Sequence, residues 1–220
     1  TGDSDLLNNL EWFRKRNEKQ SNLEAPIIRK PFFCSGCPHN SSLKVPEGKR
    51  ALGGIGCHYM AVDSIESTEF FTQMGGEGTP WIGISPFSHE KHVFANLGDG
   101  TYKHSGILAI RASLDANVNI TYKILYNDAV AMTGGQEIGS NWDVEGIVKQ
   151  VLAEGVKKVS ILSEDPKRYN QLVNNEVKSL HRDAIITEQE ELSQYEGVSV
   201  LIFDQTCAAE KRRRDRKSVV

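Results

Sequence analysis

From residue 92 onward the chain alternates between short, mainly apolar runs and longer amphipathic ones. "HVFANL" has the length and character of a buried strand, and "HSGILAIRASLDAN" then spaces Ile107, Ile110, Arg111 and Leu114 along a helix. "ITYKILYN", rich in β-branched and aromatic residues, predicts a second strand, and "WDVEGIVKQVLAEGV" a helix ending near Gly155. "KKVSILSED" predicts a third strand. A polar stretch predicted as helical follows, and "VSVLIFD" is then a fourth strand. Strands alternating with helices of about 10 to 15 residues predict βαβ units and a mostly parallel sheet flanked by helices, an α/β fold.

The first ninety residues are less regular. "LLNNLEWFRKRNEKQ", residues 6 to 20, predicts an amphipathic helix with Leu6, Leu7, Leu10, Trp12 and Phe13 as its apolar positions. A polar connector leads to "PIIRKPFFCSGCPHN", which carries a cysteine pair in a loop or short helix. "KRALGGIGCH" reads as a short strand ending in a glycine-rich turn. Residues 61 to 91 form a glycine-interrupted segment whose later half is predicted helical. The expected organisation is an N-terminal helix and connector over 1–26, one domain over 27–210 and a basic tail or linker over 211–220. Because the chain runs from Thr1 to "KRRRDRKSVV", both ends are expected to be cut from something longer.

Composition narrows the class. The 220 residues suit one large domain, and a net charge of −3 gives no global reason to expect nucleic acid or an anionic membrane. The terminal "KRRRDRK" lacks interleaved aromatics, so it reads as a solvated tail rather than a nucleic-acid patch. No apolar stretch approaches the roughly 18 residues of a spanning helix, and no secretory signal is visible. A Cys-x-x-Cys pair in such a chain argues for metal or redox work in a reducing, cytoplasmic compartment.

The candidate chemistry begins at "GDG". In a parallel sheet, ligands bind beyond the carboxyl ends of the strands, and Gly98-Asp99-Gly100 ends one of them. The glycines permit close approach, and the following helix offers free N–H groups to a phosphate. Asp99 would repel a bare phosphate unless a divalent cation stood between them. Magnesium fits, since it takes hard oxygen ligands and keeps phosphates in its shell. The next strand end supplies Asn127, whose side-chain oxygen and a nearby backbone carbonyl would complete the coordination.

Four cysteines form the second constellation. Cys34 and Cys37 lie one turn apart, Cys57 closes the "GGIGCH" turn and Cys207 follows the last strand. Four converging sulfurs suit tetrahedral zinc or an iron–sulfur cluster, and spacing does not choose between them. Among the histidines, His58 is the candidate for diphosphate or substrate contact, because its turn, with Gly56 and Cys57, has the form of a ligand loop. His39 and His104 are open between ligand contact and capping, while His89, His92 and His181 read as surface or strand-edge residues.

"GDG" followed one βα unit later by "ND" resembles the diphosphate-binding motif of thiamine diphosphate enzymes. The fuller string "GDGTYKHSG…NITYKILYNDAVAMTGGQ" is similar to the 2-oxoacid:ferredoxin oxidoreductases, and within them to the indolepyruvate enzymes, from about Pro31 to Arg214. Asp128 is a departure, standing where many members of the wider family have a second Asn. The resemblance implies a thiamine-diphosphate-binding (PP-type) fold, with magnesium held by Asp99, Asn127 and the carbonyl of Ala129. It implies that "TGGQ", from Thr133, approaches the diphosphate or a partner domain, and that Cys34, Cys37, Cys57 and Cys207 hold a 4Fe-4S cluster. The implied reaction is oxidative decarboxylation of an aryl 2-oxoacid, with coenzyme A taking the acyl group and electrons passing to ferredoxin. Family members take the glutamate that faces the aminopyrimidine from a separate pyrimidine-binding domain or subunit. No residue here matches it, Glu77 in "MGGEG" included, so an inactive half-site in a larger oligomer is expected. The competing expectations are a zinc-stabilised Rossmann-like binding module without catalysis and an assembly domain with a degenerate site.

Overall fold

The computed structural model describes residues 2–21, 30–64, 67–136 and 143–217. The connector residues 22–29, with the expected boundary between 26 and 27, and the tail residues 218–220 lie outside them. The chain divides into two compact units, Thr1–Pro31 and Phe32–Val220. In the first, the predicted helix forms α1, Gly2–Ser21, where Glu11 pairs with Lys15 one turn on and Arg16 lies over the Trp12 ring.

The second unit opens with α2, His39–Ser42, and β1, Ala51–Gly53, a three-residue strand. A single turn, Cys57–Met60, leads into α3, Ala61–Ser64, followed by β2, Thr68–Phe71, and α4, Thr79–Ile84. Strand β3, Val93–Gly98, runs directly into α5, Asp99–Thr101, a π-helical turn at Tyr102–Gly106 and α6, Ile107–Asp115. Then come β4, Ile120–Tyr126, α7, Val144–Glu154, and β5, Val159–Ser163. The chain closes with β6, Val177–His181, α8, Ile185–Leu192, β7, Val198–Asp204, and α9, Ala208–Lys217.

All seven strands join one parallel sheet in the order β2-β1-β3-β4-β7-β5-β6. Both faces are covered, which is why β3, β4, β5 and β7 read as continuous apolar runs rather than alternating ones. Alternate residues serve opposite layers. Val200 and Ile202 join Ile110 of α6 and Ile147 of α7 on one face, while Leu201 and Phe203 join Ile185 and Leu192 of α8 on the other. Helix α7 begins where Asp143 accepts the Gly146 N–H at 2.8 Å and stops at Gly155, as its sequence predicts.

Two strands escape the sequence pattern. The stretch predicted helical between β5 and β7 is a 3₁₀ segment at Pro166–Leu172, then β6, then α8. β2 was likewise hidden in the glycine-interrupted segment. Both are edge strands, half covered and therefore partly polar, so they carry no continuous apolar run. The basic run predicted as a solvated tail is helical over its described part.

Candidate cofactor cavity and thiol site

Gly-Asp-Gly is not a turn between strand and helix but the start of the helix itself. Gly98 is the last residue of β3, and Asp99 is the first helical residue. That places the Asp99 side chain at the carboxyl edge of the sheet, beside the end of β4. Its Oδ1 accepts the Gly100 N–H at 2.8 Å, and its Oδ2 accepts the N–H groups of Asn127 at 2.8 Å and Asp128 at 3.0 Å. Asn127 in turn accepts the Ala129 N–H through Oδ1, at 3.2 Å.

Asp99 is 3% exposed. Burial pushes its carboxyl up to about 6, against the pull of those three backbone N–H groups, and the nearby Asp128 pushes the same way. The charged group nearest in effect is thus another carboxylate, not a cation. A buried carboxylate in that state fits a divalent ion, which would supply the missing positive charge.

Beyond the carboxyl ends of β1, β3 and β4 lies a cavity of about 310 Å³. Gly56, Cys57, His58, Gly98, Asp99, Gly100, Asn127, Ala129 and Thr133 all line it. His58 is buried among glycines. A Cβ on Gly54 would come within 2.7 Å of its Nε2, and one on Gly56 within 2.6 Å of its Cε1. Any side chain at either position would displace the ring. Burial, and then His39, hold the His58 imidazole down to about 3, so it is neutral, and its Nε2 has no hydrogen-bond partner.

Sequence reasoning missed much of the wall. Ile55, Met74, Val130, Ala131 and Met132 line the cavity. They are ordinary apolar residues in irregular segments, and only the glycines around Met74 hinted at a ligand loop. His39, left open in the sequence, also lines it, with its ring 5.9 Å from that of His58. His104 is exposed and bonds Ser105 instead. His92, expected at the surface or a strand edge, directly precedes β3 and is buried, with Nε2 2.8 Å from the Thr121 hydroxyl. Glu77 is fully buried, with Oε2 accepting the Gly75 N–H, and burial raises its carboxyl against the pull of the Glu77, Gly75 and Ile55 N–H groups.

Cys34, Cys37, Cys57 and Cys207 come together around a second, smaller cavity, walled also by Pro38, Met60, Ala208 and Ala209. The two cavities share His39, Cys57, Asn127 and Ala131. All four thiols are free. Burial raises Cys37 and Cys57, and the neighbouring cysteines raise them further, as in a site that lacks a cation. Yet among the described residues no three His, Cys, Asp or Glu side chains stand close enough to hold a single metal ion.

Residues 54–173 match the family model for the thiamine pyrophosphate enzyme, C-terminal TPP binding domain. The chain is 26% identical to indolepyruvate oxidoreductase subunit IorA of Thermococcus kodakarensis, over 92% of this chain and 33% of that protein. It is 28% identical to the IorA subunit of Archaeoglobus fulgidus, over 87% of this chain and 31% of the relative. The chain therefore spans about a third of the length of the curated relatives it matches. In fold it is similar to a 2-oxoglutarate:ferredoxin oxidoreductase from Magnetococcus marinus, solved with 2-oxoglutarate, coenzyme A and succinyl-CoA bound. The TM-score is 0.59 at 20% identity, over 84% of this chain and 67% of that one. Benzoylformate decarboxylase from Polynucleobacter necessarius matches with a TM-score of 0.53 at 16% identity, over 83% of this chain and 34% of that one.

Proposed function

Because the chain belongs to the thiamine pyrophosphate enzyme family through its C-terminal TPP-binding domain, we propose that it anchors the cofactor of an indolepyruvate-type (aryl 2-oxoacid):ferredoxin oxidoreductase. The observation that carries this reading is the buried Asp99, set beside Asn127 and Ala129 in one cavity at the carboxyl ends of β3 and β4. In it, Asp99 and Asn127 hold magnesium through side-chain oxygens and Ala129 through its carbonyl. Gly98, Gly100 and Thr133 border the diphosphate, and His58 meets the diphosphate or the substrate. When bound, thiamine diphosphate supplies the nucleophilic carbon and electron sink that decarboxylation of a 2-oxoacid needs. The chain's own residues would bind and orient it, with Ile55, Met74, Val130 and Met132 offering an apolar wall to its rings.

Cys34, Cys37, Cys57 and Cys207 would hold a 4Fe-4S cluster one shared wall away from the cofactor, so that electrons leave toward ferredoxin while coenzyme A takes the acyl group. Four thiols lining one cavity that shares a wall with the cofactor cavity support a redox cluster over the rival zinc-stabilised module. Free thiols suit a reducing, cytoplasmic setting. Among the described residues Asp99 is the sole carboxylate lining the cofactor cavity, in keeping with a glutamate supplied by a pyrimidine-binding domain or subunit, in a larger oligomer. The working boundaries are a helix and connector over 1–26, the cofactor domain over 27–210 and a linker over 211–220.

Calorimetric titration with thiamine diphosphate tests this, with magnesium or EDTA, on the native chain and on Asp99→Ala. Binding that requires both magnesium and Asp99 is expected. Binding indifferent to both would overturn the assignment, and absence of binding is to be retested with the pyrimidine-binding part added. Anaerobic preparations should be brown and contain acid-labile sulfide; a colourless chain carrying one zinc would favour the rival.

A further inference from the structure

Helix α9 begins against the thiol cavity. Ala208 and Ala209 of its first turn wall the thiol cavity. The Lys211 N–H bonds the Cys207 carbonyl at 2.9 Å, and the Cys207 N–H bonds the Asn127 carbonyl at 3.2 Å. The start of the helix is thereby tied to the end of β4, where the cofactor ligand Asn127 stands.

Three successive arginines of this helix then reach two different loops. Arg212 donates through Nη1 to the Ser35 carbonyl, inside the Cys34–Cys37 turn, at 2.9 Å. Arg213 donates through Nη1 to the Gly134 carbonyl at 3.1 Å and to Glu210 of its own helix. Arg214 donates through Nη2 to Asp128 at 3.2 Å. Glu210, itself buried, packs so closely on Gly135 that a Cβ there would sit 2.0 Å from its Oε1. The loop so held, 130–136, closes on itself through Val130 N–H to Gln136 carbonyl at 2.9 Å and Gly135 N–H to Val130 carbonyl at 3.0 Å. It carries Val130, Ala131, Met132 and Thr133 of the cofactor cavity, yet none of the three arginines lines that cavity.

We propose that α9 is a clasp: Arg213 and Arg214 are positioning residues that set the 127–136 loop over the cofactor cavity, and Arg212 sets the Cys34–Cys37 turn over the thiol cavity. A solvated basic face would act through its summed charge, with its residues interchangeable. Here the guanidinium groups satisfy named acceptors, Arg212 in the Cys34–Cys37 turn and Arg213 and Arg214 in the 127–136 loop, so the two loops should respond separately. The placement rests on loop contacts alone, and only its cofactor readout depends on the function proposed above.

Hydrogen exchange on the full 220-residue chain tests it. In an Arg213→Ala/Arg214→Ala variant, amides of 127–136 should exchange about tenfold faster or more, while those of β4 and β7 keep their wild-type rates. Arg213→Lys/Arg214→Lys should restore part of the protection. Arg212→Ala should leave 127–136 unchanged and speed alkylation of Cys34 and Cys37. Thiamine diphosphate with magnesium should bind about tenfold more weakly to the double alanine variant and normally to Arg212→Ala. Wild-type exchange of 127–136 in the double variant would overturn the clasp. If the double variant loosens the whole sheet, Arg213→Ala alone, read the same way, decides. If loop exchange responds as expected but neither chain binds the cofactor even with the pyrimidine-binding part added, the clasp stands and the proposed function fails.

Discussion

Asp99 and Lys123 are both buried charges, and their surroundings assign them opposite parts. Asp99 sits at a cavity edge, where a cation can reach it. Lys123 sits in the middle of β4, fully buried, with its ammonium donating to the Lys44 carbonyl at 3.0 Å and lying 5.9 Å from the Phe94 ring centroid. Burial lowers Lys123 from 10.5 to about 7. Between those values the unfolded chain holds a proton that the folded chain has lost, so this residue makes stability rise with pH across that window. Lys123→Met should therefore be more stable than wild type at pH 7, by on the order of a few kcal/mol. Gln189 would still satisfy the Lys44 carbonyl. The advantage should shrink as pH approaches 10. Urea unfolding at both pH values checks this, and a variant no more stable at pH 7 would show that the lysine has an anionic partner.

Gly54 makes a prediction of the same scale with the opposite sign. A Cβ there would lie 2.4 Å from the Asn96 carbonyl and 2.7 Å from His58 Nε2. Backbone cannot yield as a flexible side chain would. Gly54→Ala should cost about 1–3 kcal/mol and weaken cofactor binding by displacing His58, both measurable by thermal unfolding with and without ligand.

At the scale of elements, what positions the cofactor is continuity. β3 passes into α5 without a loop, so Asp99 is fixed between a sheet and a helix axis rather than on a mobile turn. The π-helical turn that follows, Tyr102–Gly106, is a departure from regular helix of the kind found beside functional sites. Helix α7 is held by simpler means. Asp143→Ala removes the side-chain acceptor for Gly146 and should cost about 1 kcal/mol, seen as a lower melting temperature with cofactor affinity unchanged, since α7 does not line the cofactor cavity.

For the whole molecule, the function proposed above makes the cavity one wall of a site. It offers a carboxylate for metal, glycines for close approach and an apolar face, but among the described residues no second carboxylate to activate a cofactor. The isolated chain should accordingly show no 2-oxoacid-dependent dye reduction, and activity should appear when the pyrimidine-binding part is supplied. Turnover by the chain alone would sink the half-site reading.

The sequence by itself determined the βαβ core and the place of Asp99 and Asn127. Buried parallel strands must be apolar on both faces, so β3, β4, β5 and β7 announce themselves, and the strand-end rule places both residues at one edge. It also ordered the four cysteines but left their meeting open, since nothing local tells Cys34 that Cys207 lies across the same space. Edge strands β2 and β6 stayed hidden because half-covered strands carry mixed polarity. Long-range packing alone buried His92 and Lys123, stood His39 beside His58, and bound the arginines of α9 to two loops. Periodicity records how a segment meets its own layer; which segments then touch is decided by strand order, and strand order is a property of the folded sheet.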